Sequence, residues 1–222
     1  MNVKLISYSE PSGEMPANID NVQDLIAFCA RVSNPSNQLN TETSEKLIRY
    51  LIKNKHWSPL EMVSVCLEIE TTRDIARQML RHRSFSFQEF SQRYANPVED
   101  LSFVYREARL QDTKNRQNSI ETDDDYIQER WEEEQASVIL RAREAYEWAI
   151  KNGIAKEQAR VVLPEGLTVS RLYMNGTLRS WIHYIQLRSE NGTQKEHMSI
   201  AHKCAEVIAK VFPMAKEFTE NQ

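Results

Sequence analysis

Residues Glu61 to Thr71 (EMVSVCLEIET) constrain the fold more than any other part of the chain. Met62, Ser64, Cys66 and Glu68 alternate with Val63, Val65, Leu67 and Ile69, and only the second set is uniformly apolar and β-compatible. A period of two with one apolar side describes a half-buried strand. Such a strand needs partners in a sheet and elements that cover its apolar face. Candidates lie on both sides. Residues 3–8 (VKLISY) read as an opening strand ended by Pro11-Ser12-Gly13, residues 84–94 alternate like a strand until Asn96-Pro97, and residues 167–173 form another. Helical spacing appears at 21–31 (Val22, Leu25, Ile26, Cys29), at 43–55 (Leu47, Ile48, Leu51, Ile52) and at 71–80 (Ile75, Ala76, Met79, Leu80). His56-Trp57-Ser58-Pro59 should turn, because a residue before Pro is pushed out of the helical region. Longer helices are expected at 123–151, with Gly153 as C-cap, at 177–189 around Trp181, Ile182 and Ile185, and at 194–212. With no internal repeat and no Gly-, Ser- or Pro-rich linker, residues 1–222 read as one α/β (α+β) domain, a central mostly antiparallel sheet flanked by long helices.

Average globular composition excludes disordered, collagen-like and disulfide-scaffold chains. The net charge of -4 excludes a molecule-wide field for nucleic acid or anionic membrane, and no apolar run suits a signal peptide or a span. Cys29, Cys66 and Cys204 are odd in number, lack CxxC spacing and sit among apolar residues, so buried free thiols in a reducing cytoplasm are expected. No zinc spacing occurs, His197 and His202 are on different helix faces, and no metal is expected. The charge is sorted, however. Residues 121–135 hold eight acids against Arg130, read as a solvated helix face, whereas residues 71–95 hold five arginines against Asp74 and Glu89.

Arg73, Arg77 and Arg81 fall at i, i+4 and i+8 on the predicted 71–80 helix. Like charges at that spacing repel by about 0.2–0.5 kcal/mol per pair, so an anion belongs nearby: protein carboxylates or a phosphate. In the following strand, Glu89, Ser91 and Arg93 are expected on one face with Phe85 and Phe87, a set able to read a polar heterocycle.

The whole string Arg81-His82-Arg83, Ser86, Ser91, Arg93 resembles the RHRxxSxxxxSxR signature of flavin-dependent thymidylate synthases. Further segments look like that family's: Ala30-Arg31-Val32-Ser33, Asn54 to Glu61 (NKHWSPLE), Ala159-Arg160 to Leu163-Pro164, and Leu178 to Arg188. The resemblance implies synthesis of dTMP from dUMP by FAD-mediated reductive methylation, with methylenetetrahydrofolate as one-carbon donor, NADPH as reductant and no cysteine nucleophile. It assigns dUMP contacts to Gln78, Arg81, Glu89, Phe90, Ser91, Gln92, Arg93, Arg160 and Arg188, the last two from another subunit of a homotetramer. Arg188, facing the pyrimidine and favouring its anionic form, is the implied catalytic residue. FAD contacts fall to Ser58, Arg81, His82, Arg83, Glu89, Thr177, Arg179 and His183, with His56 near flavin and folate. Two departures stand out. Gly192 replaces a histidine found in many members, and Thr177 stands where others carry Asn, with Asn175 two residues earlier.

Overall fold

The structure, a computed structural model, describes residues 1–219. In chain order it comprises β1 (Asn2–Tyr8), α1 (Val22–Ala30), α2 (Ser44–Lys53), β2 (Ser64–Thr72), α3 (Arg73–Met79), β3 (Ser86–Glu89), the one-turn α4 (Pro97–Asp100), β4 (Arg109–Gln111), β5 (Ser119–Glu121), α5 (Asp125–Lys151), α6 (Lys156–Ala159), β6 (Val169–Thr177), α7 (Leu178–Ser189) and α8 (Lys195–Ile208). Four strands form one sheet in the order β1-β2-β6-β3 with every pair antiparallel, which is the mixed α/β architecture expected.

The alternation in β2 decides which side of the sheet is covered. Val65, Leu67 and Ile69, with Leu172 and Met174 of β6, are fully buried beneath α7, α8 and α3. Trp181 of α7 is also buried, and its indole N–H donates to the Val65 carbonyl at 3.0 Å, so the largest core side chain keeps its polar atom satisfied. The opposite face stays polar. Lys4, Glu68 and Tyr173 lie in one register row, with Lys4 Nζ and Tyr173 Oη donating to Glu68 at 3.1 and 2.8 Å. The long α5 builds a separate small core from Tyr146 and Ala149 against Ala159 and Leu163.

Several expectations change. The predicted strand at 84–94 is only four residues long, because the chain turns at Ser91, whose carbonyl accepts from the Tyr94 and Ala95 amides. The strand expected at 167–173 runs to Thr177, its whole length paired with β2. The last helix ends at Ile208 and is followed by a 3-10 segment, Pro213–Thr219. The β4–β5 hairpin is new. It removes Glu121 from the acidic helix and pairs it with Lys195 at 2.5 Å. Only Cys204 is fully buried, with Cys29 and Cys66 half-buried, and all three are free.

Candidate functional site

The arginine-bearing α3 starts where β2 ends, anchored by Arg73 N–H donating to the Thr168 carbonyl at 3.0 Å. Its cations meet protein carboxylates. Arg73 and Arg77 lie 3.8 and 3.3 Å from the two carboxylate oxygens of Glu89, and Arg77 is 3.5 Å from Glu165. Ser170 donates to Glu89 Oε1 at 2.9 Å, so strand β6 also holds this carboxylate in place. The helix ends before Arg81. The expected row of three guanidiniums is therefore two, while Arg81 and Arg83 are exposed and have no carboxylate partner among the described residues.

Past Met79 the Arg81-His82-Arg83 string folds as successive tight turns, with His82 N–H donating to the Met79 carbonyl at 2.9 Å and Phe85 N–H to the His82 carbonyl at 3.3 Å. Ser180, near the start of α7, pins the end of the string by donating to the Ser84 carbonyl at 3.2 Å. From the other end of α7, Arg188 Nε and Nη2 point at His82 Nε2 from 3.1 and 3.0 Å. Accepting them requires a bare Nε2, hence a neutral ring with its proton on Nδ1. Burial, reinforced by Arg188 and then Arg81, pushes His82 down to about 4, which keeps it neutral. Gln78, on α3, is half-buried and faces α8, its amide oxygen 3.1 Å from His197 Nδ1.

Residues expected at the flavin group differently. α2 stops at Asn54, and Lys55 takes a left-handed conformation (φ 58°) normally given to Gly. That reversal leaves His56 exposed near Tyr50 and sends Trp57 against His183, their rings edge to face at 4.4 Å. Ser58 opens a 3-10 turn (Ser58–Glu61) whose Glu61 pairs with Arg179. Burial, then Arg179, lowers the pKa of His183. Thr177 caps α7, its hydroxyl accepting from Ser180 N–H at 3.3 Å, while Asn175 lies in β6 opposite Cys66 and Ser86. Arg179 and Arg188 are nine residues apart on one helix, about 180° around it at 3.6 residues per turn. One chain thus divides the expected residues between two sides of α7.

The end of β3 is a third group. Phe90 continues the ladder by donating to the Arg171 carbonyl at 2.8 Å, but Ser91 and Arg93 leave the sheet, so they do not share a strand face with Glu89. Arg93 is exposed and 3.4 Å from Glu157, and Arg160 Nε donates to the Glu157 carbonyl at 3.3 Å. Gln92 is instead the buried member, with an amide nitrogen that has no partner among the described residues. An unsatisfied buried donor calls for a ligand or water acceptor. Gly192 sits at φ 94°, a backbone state that a histidine would strain, so the turn after α7 is built for glycine here. The sequence did not single out Ser170, Tyr184 or Gln194, and His197 figured only as half of a rejected metal pair; all four gain their places from contacts between distant segments.

Comparison with known proteins finds relatives along nearly the whole chain. Residues 15–214 match the family model of the thymidylate synthase complementing protein. A probable flavin-dependent thymidylate synthase of Paramecium bursaria Chlorella virus 1 is 48% identical over 213 residues, 96% of each chain. A flavin-dependent thymidylate synthase of Synechocystis sp. is 47% identical over the same length and coverage. Among solved structures, the UMP/dUMP methylase PolB of Streptomyces cacaoi bound with 5-Br dUMP superposes with a TM-score of 0.80 at 25% identity, covering 98% of this chain and 93% of that one. With nearly its whole length matched, the chain belongs to the flavin-dependent thymidylate synthase family.

Proposed function

We propose that this protein makes dTMP from dUMP, with FAD bound, methylenetetrahydrofolate supplying the one-carbon unit and NADPH the reducing equivalents. The observation that carries the reading is the Arg188–His82 contact, which joins the arginine string to a side chain 106 residues away. A neutral His82 accepting from Arg188 holds that guanidinium without competing for its charge, leaving its remaining N–H groups to face the pyrimidine and favour the anionic form of the ring. Gln78, Arg81, Glu89, Phe90, Ser91, Gln92, Arg93 and Arg160 are read as the rest of the dUMP site, the arginines for the phosphate and the orphaned Gln92 amide for a substrate oxygen.

The residues present also fit a flavin dinucleotide. Arg81 and Arg83 offer exposed guanidiniums that no carboxylate occupies among the described residues, as a pyrophosphate requires. Ser58, His82, Glu89, Thr177, Arg179 and His183 would hold the remainder, with His56 towards folate. When bound, the flavin supplies hydride transfer. A complete site would draw on several chains of a homotetramer. The split around α7 supports this, as does an apolar groove of about 640 Å³ beside Arg160, lined by Trp148, Ile154, Val161 and Val162. Val161, 82% exposed in one chain, suits burial against a second copy. The whole chain is read as one domain working in the cytoplasm, where its free thiols stay reduced.

A nucleotide-binding protein without catalysis is the rival reading. It needs an unoccupied basic face on α3, whereas Arg73 and Arg77 are engaged by Glu89 and Glu165. The test is dTMP formation from dUMP and methylenetetrahydrofolate by the FAD-loaded protein with NADPH. Product and a flavin spectrum that bleaches with NADPH are expected. Bleaching without dTMP would leave only an oxidase, and neither would leave the binder.

A further inference from the structure

His197 of α8 is wholly buried yet makes two polar contacts. Its Nδ1 is 3.1 Å from Gln78 Oε1, and its Nε2 is 3.1 Å from the buried Tyr184 hydroxyl. The contacts continue outward. Gln78 Nε2 donates to Gln194 Oε1 at 2.9 Å, Gln194 Nε2 donates to Glu196 Oε2 at 2.9 Å, and Arg109 donates to Glu196 Oε1 at 2.6 Å. Amide flips and tautomers are fixed by such a network when one end has a single possible role. Here that end is the Glu196 carboxylate, held charged by Arg109, which can only accept. Gln194 must therefore turn its NH₂ to Glu196 and its oxygen to Gln78. Gln78 in turn must offer its NH₂ to Gln194 and its oxygen to His197, so Nδ1 of His197 must carry the proton. Burial, with Arg188 and His82 nearby, pushes His197 down to about 3, so the ring is neutral and its bare Nε2 accepts from Tyr184.

We propose that the orientation set for the Gln78 amide by Glu196 through Gln194 is held from the other side by His197, a positioning residue whose Nδ1–H supplies the second of the two bonds to that amide, and that the held amide makes the site prefer uracil to cytosine. The locked amide still has one free N–H and one free oxygen lone pair on fixed sides. Uracil presents a carbonyl at C4 in its neutral and anionic forms alike, whereas cytosine presents an amino donor there. An amide free to flip accommodates either edge; a locked one pairs with a single pattern and leaves the other with unmatched polar groups. The inference rests on the reading of Gln78 as part of the dUMP site and assigns its contact to the base, on the side that Arg188 faces.

The test is the dissociation constant for dUMP and for dCMP, measured on the FAD-loaded enzyme and on the Gln78→Ala, His197→Gln and His197→Asn variants. His197→Gln can reach Tyr184 but has no donor at the Nδ1 position, and the dUMP preference should fall about two- to tenfold, the worth of one hydrogen bond. His197→Asn keeps an N–H near Nδ1 and should restore the preference, although the shorter side chain leaves the larger cavity. A purely structural role ranks the two variants the other way, with Asn the worse, and that ranking would overturn the inference. Gln78→Ala separates the two levels. If it leaves dUMP affinity unchanged, Gln78 is not a base contact and both readings fall; if it weakens dUMP while His197→Gln keeps the preference, only the role of His197 falls. Nitrogen-15 NMR of the wild-type imidazole gives an independent check, since a proton on Nε2 rather than Nδ1 would also overturn it.

Discussion

His82 and His197 enter the folded state without their protons. Burial is the leading cause for both, and Arg188 adds to each, giving values of about 4 and about 3. In the unfolded chain both titrate near 6.5. Below about pH 6.5 the unfolded chain binds more protons than the native one, so the stability these rings contribute is complete above that value and is lost as pH falls towards about 4. Each imidazole adds a slope of up to about 1.4 kcal/mol per pH unit. Urea midpoints should therefore drop between pH 7 and pH 5, and by less in His197→Asn; a flat profile would contradict the neutral-ring account. Arg188 gives a second prediction at this scale. Arg188→Lys keeps the charge but replaces a planar fork by a point donor, and kcat should fall on the order of 10²-fold or more with FAD retained. Full activity in Arg188→Ala would remove the residue from the reaction.

At the scale of elements, β6 passes directly into α7, the helix that bears Arg179, His183 and Arg188. Their junction depends on Gly176, where a Cβ would lie 2.4 Å from Phe85 Cδ1. That ring is packed against Trp181 at 4.8 Å and Tyr184 at 6.0 Å and has no room to retreat. Gly176→Ala should cost about 1–3 kcal/mol by overpacking, and Phe85→Leu in the same chain should recover part of it, measurable as coupling in a double-mutant cycle. Additive losses would show that the ring is not the obstacle. Elements with a buried stripe were legible in the sequence for the same packing reason: β2, α2 and α7 each show their inward residues as a period. The pattern misled at β3, where the alternation from Phe85 to Arg93 outlasts the pairing with β6. The β4–β5 strands have three residues each, with Leu110 and Ile120 both exposed, so they carry no buried face to read. Motif spacing located His82 and Arg188 separately, but their contact, like that of His197 with Gln78, arises only when α7 and α8 close over α3.

For the molecule as a whole, the separation of Arg93 from Arg188 makes shared sites testable. If each site takes Arg93 from one chain and Arg188 from another, co-expressing Arg93→Ala with Arg188→Ala chains should recover about a quarter of wild-type activity, as random mixing in a symmetric oligomer requires. No recovery would place both residues in one chain. The sheet limits how such copies can meet. Its two outer strands are poor templates for a further strand, because β1 carries a charged Lys4 and an irregularity between Leu5 and Ser7, and β3 is only four residues long. Both are devices that discourage edge-to-edge growth. If copies of the chain associate, faces and helices are therefore the surfaces left for them to meet on, and growth as a continuous β-ribbon is disfavoured.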